Sequence, residues 1–98
     1  MPTLLTEQQI HAALADHPHW DYREGELIRV VKAPTFAGGI DLVAQVAKVA
    51  DEMNHHPDID IRWVNITFRL STHSEGGVTG NDVELAGRID GIADRGGS

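Results

Sequence analysis

Cysteine is absent from the 98 residues, and this excludes disulfides, thiolate zinc sites, thiol nucleophiles and iron–sulfur ligation. Basic residues are scarce: eight Lys/Arg stand against fifteen Asp/Glu, a formal charge of −7. Such a surface repels a phosphate backbone, which argues against a nucleic-acid partner. No apolar run approaches the roughly 20 residues needed to span a bilayer, and the first residues lack a basic stretch followed by an apolar one. Internal repeats and low-complexity tracts are missing too. There is no Walker-type loop and no GxGxxG turn, Gly76-Gly77 alone being too little to cradle a phosphate, and no Ser or Thr stands in a recognisable nucleophile setting. What remains is the expectation of one cytoplasmic globular domain over residues 1–98, acidic and carrying six histidines. At this size the core is modest and self-association would help. The tail Asp94-Arg95-Gly96-Gly97-Ser98 reads as disordered.

Seven elements follow from pattern. Thr6 is a good N-cap with Gln9 in the capping-box position, and the first helix then carries Ile10, Ala13 and Leu14 until Pro18 ends it. A hairpin is expected over 20–22 and 27–33, around the polar turn Arg23-Glu24-Gly25-Glu26. Its second strand is partly apolar on both faces, as expected of a strand inside a sheet. Thr35 caps a second helix running to about Asn54, whose expected buried stripe is Phe36, Ile40, Val43, Ala47, Ala50 and Met53. From 58 to 72 the chain is strand-like, but the large apolar residues switch from odd positions (Ile59, Ile61, Trp63) to even ones (Ile66, Phe68, Leu70). One strand cannot keep a core face across that slip. Two strands are expected, over 58–63 and 66–72, with a turn at Val64-Asn65; a single bulged strand is the alternative. After Ser74-Glu75-Gly76-Gly77, Thr79 caps a third helix with Asp82 in the capping-box position and Leu85, Ala86, Ile89 and Ile92 on its buried stripe. The order α-β-β-α-β-β-α with short connections predicts an α+β fold, a four-stranded antiparallel sheet with three helices on one face.

The unusual cluster is Asp51-Glu52-Met53-Asn54-His55-His56-Pro57. Pro57 keeps His56 out of the α region, so the second helix should end just before the histidine pair. The negative end of a helix dipole attracts a charged imidazole, and Asp51, four residues before His55, can face it across the last turn. That setting suits a general acid. Solvent-exposed helix-end residues would leave the same pattern. By itself His73 reads as a strand-end surface residue, Asp82 as a capping carboxylate, and Trp20 and Trp63 as core. Three histidines with Asp51 or Asp82 could in principle hold zinc or iron. Adjacent histidines rarely aim at one ion, however, and the ligand spacings expected of a metal site are missing among these candidates, so no metal is expected.

Taken together, Asp51, His55-His56-Pro57, Trp63, His73 and Asp82 resemble the signature of the pterin-4a-carbinolamine dehydratases, five elements spread over about 32 residues. The similarity extends from Trp20 to Ile92 and agrees with the α+β element order. It departs in the second helix, where Gly38-Gly39-Ile40 follows Phe36 and family members usually carry more aromatics; this bears on helix-mediated assembly. The resemblance implies dehydration of 4a-hydroxytetrahydrobiopterin, the product of an aromatic amino acid hydroxylase, to quinonoid dihydrobiopterin, with no metal or organic cofactor. A neutral pterin needs no basic cleft, which suits the acidic composition. The resemblance further implies His55 and His73 as acids on opposite faces of the ring and His56 as a binding residue. Asp51 would tune the pair, and Asp82 would support His73 or accept a pterin hydrogen bond. Trp20 and Trp63 would wall or support the pocket. It also implies a homodimer or homotetramer. Some relatives act instead as binding modules that stabilise dimers of a homeodomain transcription factor, and a pterin linked to molybdenum-cofactor metabolism is a third possibility.

Overall fold

A computed structural model describes residues 3–95. The elements are α1 (Glu7–Leu14), β1 (Asp21–Arg23), β2 (Glu26–Lys32), α2 (Phe36–Met53), β3 (Asp58–Arg62), β4 (Asn65–Leu70) and α3 (Gly80–Arg95), with one turn of 3-10 helix at His73–Glu75. The four strands form one antiparallel sheet in the order β1-β2-β4-β3, so the two hairpins meet through β2 and β4. Leu27 and Val31 of β2 and Ile66, Phe68 and Leu70 of β4 cluster with Ile10, Leu42, Val46, Leu85 and Ile89 of the helices. Full burial of each such side chain contributes about 1.5–3 kcal/mol. On the other side of the sheet Val30 and Lys32 face water. The α+β architecture expected from the element order is the one observed. No helix among the described residues is long and apolar enough to cross a membrane.

Local chemistry explains the ends of these elements. Thr6 and Gln9 form the full reciprocal capping box of α1. The β1–β2 turn is Glu24-Gly25, both residues at positive φ (51° and 79°), the two-residue hairpin geometry that matches strand twist. Thr35 caps α2 by accepting from the Gly38 N–H at 3.0 Å.

Five expectations are corrected. The β3–β4 turn falls one residue early, at Trp63-Val64, with Arg62 paired to Asn65. Val64 is buried and its carbonyl accepts from the Ala33 N–H at 2.8 Å, which drives Trp63 outward at φ 53° and leaves it 73% exposed rather than in the core. In α2 the buried line is Gly39, Leu42, Val46 and Ala50, whereas Phe36 and Ile40 are 53% and 42% exposed. Asp41, Gln45, Lys48 and Glu52 line one side of the helix, and the apolar arc opposite them is wide enough to hold both stripes. Gly39 is the point of close approach: a Cβ there would lie 3.1 Å from Ile66 Cδ1, and the Ile66 side chain would have to give way by a few tenths of an ångström. β4 stops at Leu70, and His73 opens the 3-10 turn instead of ending a strand. Finally, α3 includes Asp94 and Arg95, which the sequence assigned to a disordered tail; Gly96, Gly97 and Ser98 lie outside the described residues.

Candidate active site

Helix α2 ends in a Schellman motif, and that ending places the first histidine. Asn54 takes the left-handed conformation (φ 49°, ψ 44°), its N–H reaches the Asp51 carbonyl, and the His55 N–H reaches back to the Ala50 carbonyl at 3.0 Å. The chain turns sharply there, and the His55 ring swings onto the first turn of α3. Its Nε2 meets Asp82 Oδ1 at 2.5 Å. The carboxylate is fully buried and the imidazole side chain is 12% exposed. An ionised carboxylate only accepts, so Nε2 carries the hydrogen and Nδ1, which has no protein partner among the described residues, is left for a ligand.

A buried carboxylate must be satisfied, and this one is. Asp82 Oδ2 accepts from the Thr79 N–H at 2.8 Å and from the Thr72 hydroxyl at 2.7 Å. Its position in the first turn of α3 adds the positive end of that helix dipole. The capping role expected of Asp82 is therefore real, but one oxygen fulfils it while the other holds an imidazole. The sequence carried a sign of this: Asp82 stands on the stripe that continues through Leu85, Ala86 and Ile89, all fully buried.

The remaining candidates separate. His73 directly follows Thr72, whose hydroxyl donates to the same carboxylate, and its own side chain is exposed and free of protein hydrogen bonds among the described residues. His56 has a different partner: its Nε2 donates to Asp51 Oδ1 at 2.9 Å, with both side chains well exposed (58% and 79%). Asp51 thus pairs with His56, not with His55 across the last turn, because the left-handed Asn54 carries His55 off the helix face. Trp20 is 3% exposed and gives its indole N–H to Asp90 at 2.8 Å. Asp90 lies eight residues beyond Asp82, about 12 Å along α3 at a helical rise of 1.5 Å, so Trp20 is not beside the His55 ring. Trp63 sits at the exposed tip of the β3–β4 hairpin.

One polar cluster was not foreseen. Asp90 accepts from Arg29 and Trp20 through Oδ1 and meets His17 Nδ1 at 3.2 Å through Oδ2. Arg29 lies on the core-facing side of β2, opposite Phe68, and is 8% exposed. A lone arginine between Leu27 and Val31 was the available signal. The cluster ties α1's exit and the central strand to α3. A separate cavity of about 260 Å³ lies where Ala33, Leu42, Ile92 and Ala93 meet, and none of the three candidate histidines lines it. Among the described residues no group of three or more His, Asp or Glu is arranged to hold a metal ion.

Residues 3–92 match the family model described as pterin 4 alpha carbinolamine dehydratase. A Mycobacterium avium protein provisionally named pterin-4-alpha-carbinolamine dehydratase is 54% identical over 89 residues, covering 91% of this chain and 95% of that one. A Nocardia farcinica protein with the same provisional name is 51% identical over 90 residues, covering 92% and 95%. Among solved structures, a transcriptional coactivator/pterin dehydratase from Brucella melitensis superposes with a TM-score of 0.90 at 30% identity, over 93% of this chain and 99% of that one. A pterin dehydratase-like protein identified as a RuBisCO assembly factor in the alpha-carboxysome shares the fold, with a TM-score of 0.62 at 17% identity over 76% of this chain and 86% of that one.

Proposed function

This chain belongs to the pterin 4 alpha carbinolamine dehydratase family, and on that premise we propose that it dehydrates 4a-hydroxytetrahydrobiopterin to quinonoid dihydrobiopterin in tetrahydrobiopterin recycling. The observation that carries the reading is the buried Asp82 carboxylate held against His55, with His73 one residue from a second Asp82 partner. Dehydration of a carbinolamine asks for little: the ring nitrogen pushes out the C4a hydroxyl, that oxygen takes a proton, and the nitrogen loses its own. Water then leaves with no net change of charge, and no electrons pass to or from the protein. With Nε2 committed to Asp82, Nδ1 of His55 is the atom that delivers the proton. Asp82 fixes the ring and offsets the positive charge of the loaded imidazole. His73 is the second acid, serving the other C4a stereoisomer from the opposite face of the ring. His56, steadied by Asp51, orients the pterin.

The test follows carbinolamine decay during turnover of an aromatic amino acid hydroxylase, with and without this protein. Acceleration by the wild type, lost on replacing the histidines, supports the reading, and an unchanged decay refutes it. A second reading is a binding module for a protein partner. The Brucella melitensis relative favours it, being described as a transcriptional coactivator as well as a pterin dehydratase. Unchanged carbinolamine decay together with a stoichiometric partner complex would select that reading. Assembly into a homodimer or homotetramer, and a cytoplasmic location, are part of the first reading; the exposed Phe36 and Ile40 of α2 support the assembly.

A further inference from the structure

We propose that Thr72 is a positioning residue: its hydroxyl holds Asp82, and through it His55, in register with His73. The geometry stands by itself, and only its kinetic consequence rests on the dehydratase reading.

Thr72 precedes the 3-10 turn His73–Glu75 at the position where a threonine hydroxyl usually caps the helix, yet it makes no side-chain capping bond. The backbone of Thr72 closes the loop instead. Its N–H reaches the Gly77 carbonyl at 2.7 Å, and its carbonyl accepts from Glu75 and Gly76 at 3.0 and 2.9 Å. The hydroxyl is therefore spare for loop formation, and it turns inward, where Thr72 is 6% exposed.

Each hydroxyl has one proton, which sets the direction of the chain it joins. Thr72 gives its proton to Asp82 Oδ2, so Thr79 must donate to Thr72 across their 2.7 Å contact, and the Asn81 N–H donates to Thr79 Oγ1 at 3.3 Å. Every donor runs toward the carboxylate, and His55 meets it from the other side. Aligned bonds of this kind polarise one another and strengthen the last acceptor. Thr72 is also the covalent neighbour of His73. One carboxylate thus holds the ring of the first proposed acid and, through one hydroxyl, the backbone of the second. A serine would keep the bond, whereas a valine would keep the shape and lose it.

The experiment compares wild type, Thr72→Val and Thr72→Ser. In Thr72→Val kcat falls about tenfold or more while KM stays within about twofold, and Thr72→Ser returns kcat to within about threefold of wild type. A Thr72→Val enzyme with wild-type kcat overturns the proposal, as does a serine variant as slow as the valine one. The downfield proton resonance of the His55–Asp82 hydrogen bond is followed by NMR in the same proteins and needs no turnover. In Thr72→Val it exchanges faster with water than in wild type; identical exchange overturns the proposal. Should the wild type not accelerate dehydration, the dehydratase reading fails, and the proton measurement alone decides the role of Thr72. Should Thr72→Val not fold, the wild-type protein decides: a Thr72 hydroxyl proton shielded from exchange supports the bond, and a freely exchanging one refutes it.

Discussion

Replacing Asp82 by asparagine removes a charge from the site with almost no change of shape. The side chain is fully buried and accepts three hydrogen bonds, from His55 Nε2 at 2.5 Å, the Thr72 hydroxyl at 2.7 Å and the Thr79 N–H at 2.8 Å. An amide has one acceptor oxygen. The Thr79 N–H can only donate, so that oxygen must face Thr79 and Thr72, and the amide NH2 then faces His55. Nε2 is forced to accept, the ring takes the opposite tautomer, and Nδ1 is no longer supported as a proton carrier. General-acid contributions are worth about 10²–10⁴ in rate. We expect kcat in Asp82→Asn to fall about a hundredfold or more for the stereoisomer served by His55, with KM little changed. Stability should suffer less, because all three contacts survive in neutral form. Trading a charge-assisted for a neutral bond costs about 1 kcal/mol for each of the three, partly offset because a neutral amide is cheaper to bury than a carboxylate; each kcal/mol lost lowers Tm by about 4–8 °C in a domain of this size. Stopped-flow dehydration of each stereoisomer and a thermal melt measure the two effects. A cooperatively folded Asp82→Asn protein with wild-type kcat on both stereoisomers would refute the argument.

Three further outcomes follow from the same geometry. His73→Ala should lower kcat at saturating substrate far more than it raises KM, since the exposed ring makes no hydrogen bond among the described residues; steady-state kinetics check this, and an unchanged turnover number removes His73 from the chemistry. Asp90→Ala leaves the buried Arg29 without its counter-charge and should cost about 3–5 kcal/mol in chemical denaturation, whereas the double variant Arg29→Met/Asp90→Ala should regain part of that loss; no recovery would mean that the pair is not the cause. Replacing Phe36 and Ile40 by serine, each about half-exposed in the single chain, should leave Tm of the monomer nearly unchanged and reduce self-association in light scattering. A wild type that is already monomeric would show that this face is not covered by another copy.

Much of the fold was legible because its signals are local. Thr6 with Gln9, Thr35 before α2 and the parity switch between Ile61 and Ile66 each sit within a few residues of the boundary they set. The inner face of α2 was not legible: Phe36 and Gly39 both begin plausible stripes, and which of them turns inward was decided by packing against β4, where Gly39 lies close to Ile66. For the same reason the Trp63-Val64 turn came out displaced by one residue. Its register answers to a bond from Ala33, some thirty positions away.

The site divides along the same line. His55, His56, His73, Asp51 and Asp82 could be picked out as candidates because their residue types and intervals lie in the chain itself. Their partners could not. Spacing across a helical turn pointed Asp51 at His55, but a left-handed Asn54 redirected that ring to Asp82, 27 residues on. The Asp90 cluster joins residues 61 to 73 positions apart and left almost no trace in the sequence. Periodicity and capping act over one or two turns of backbone, so sequence alone determined the elements and the candidate groups they carry. Hydrogen bonds between distant groups form only where packing removes water, so the tertiary structure alone decided which histidine stands against the buried carboxylate.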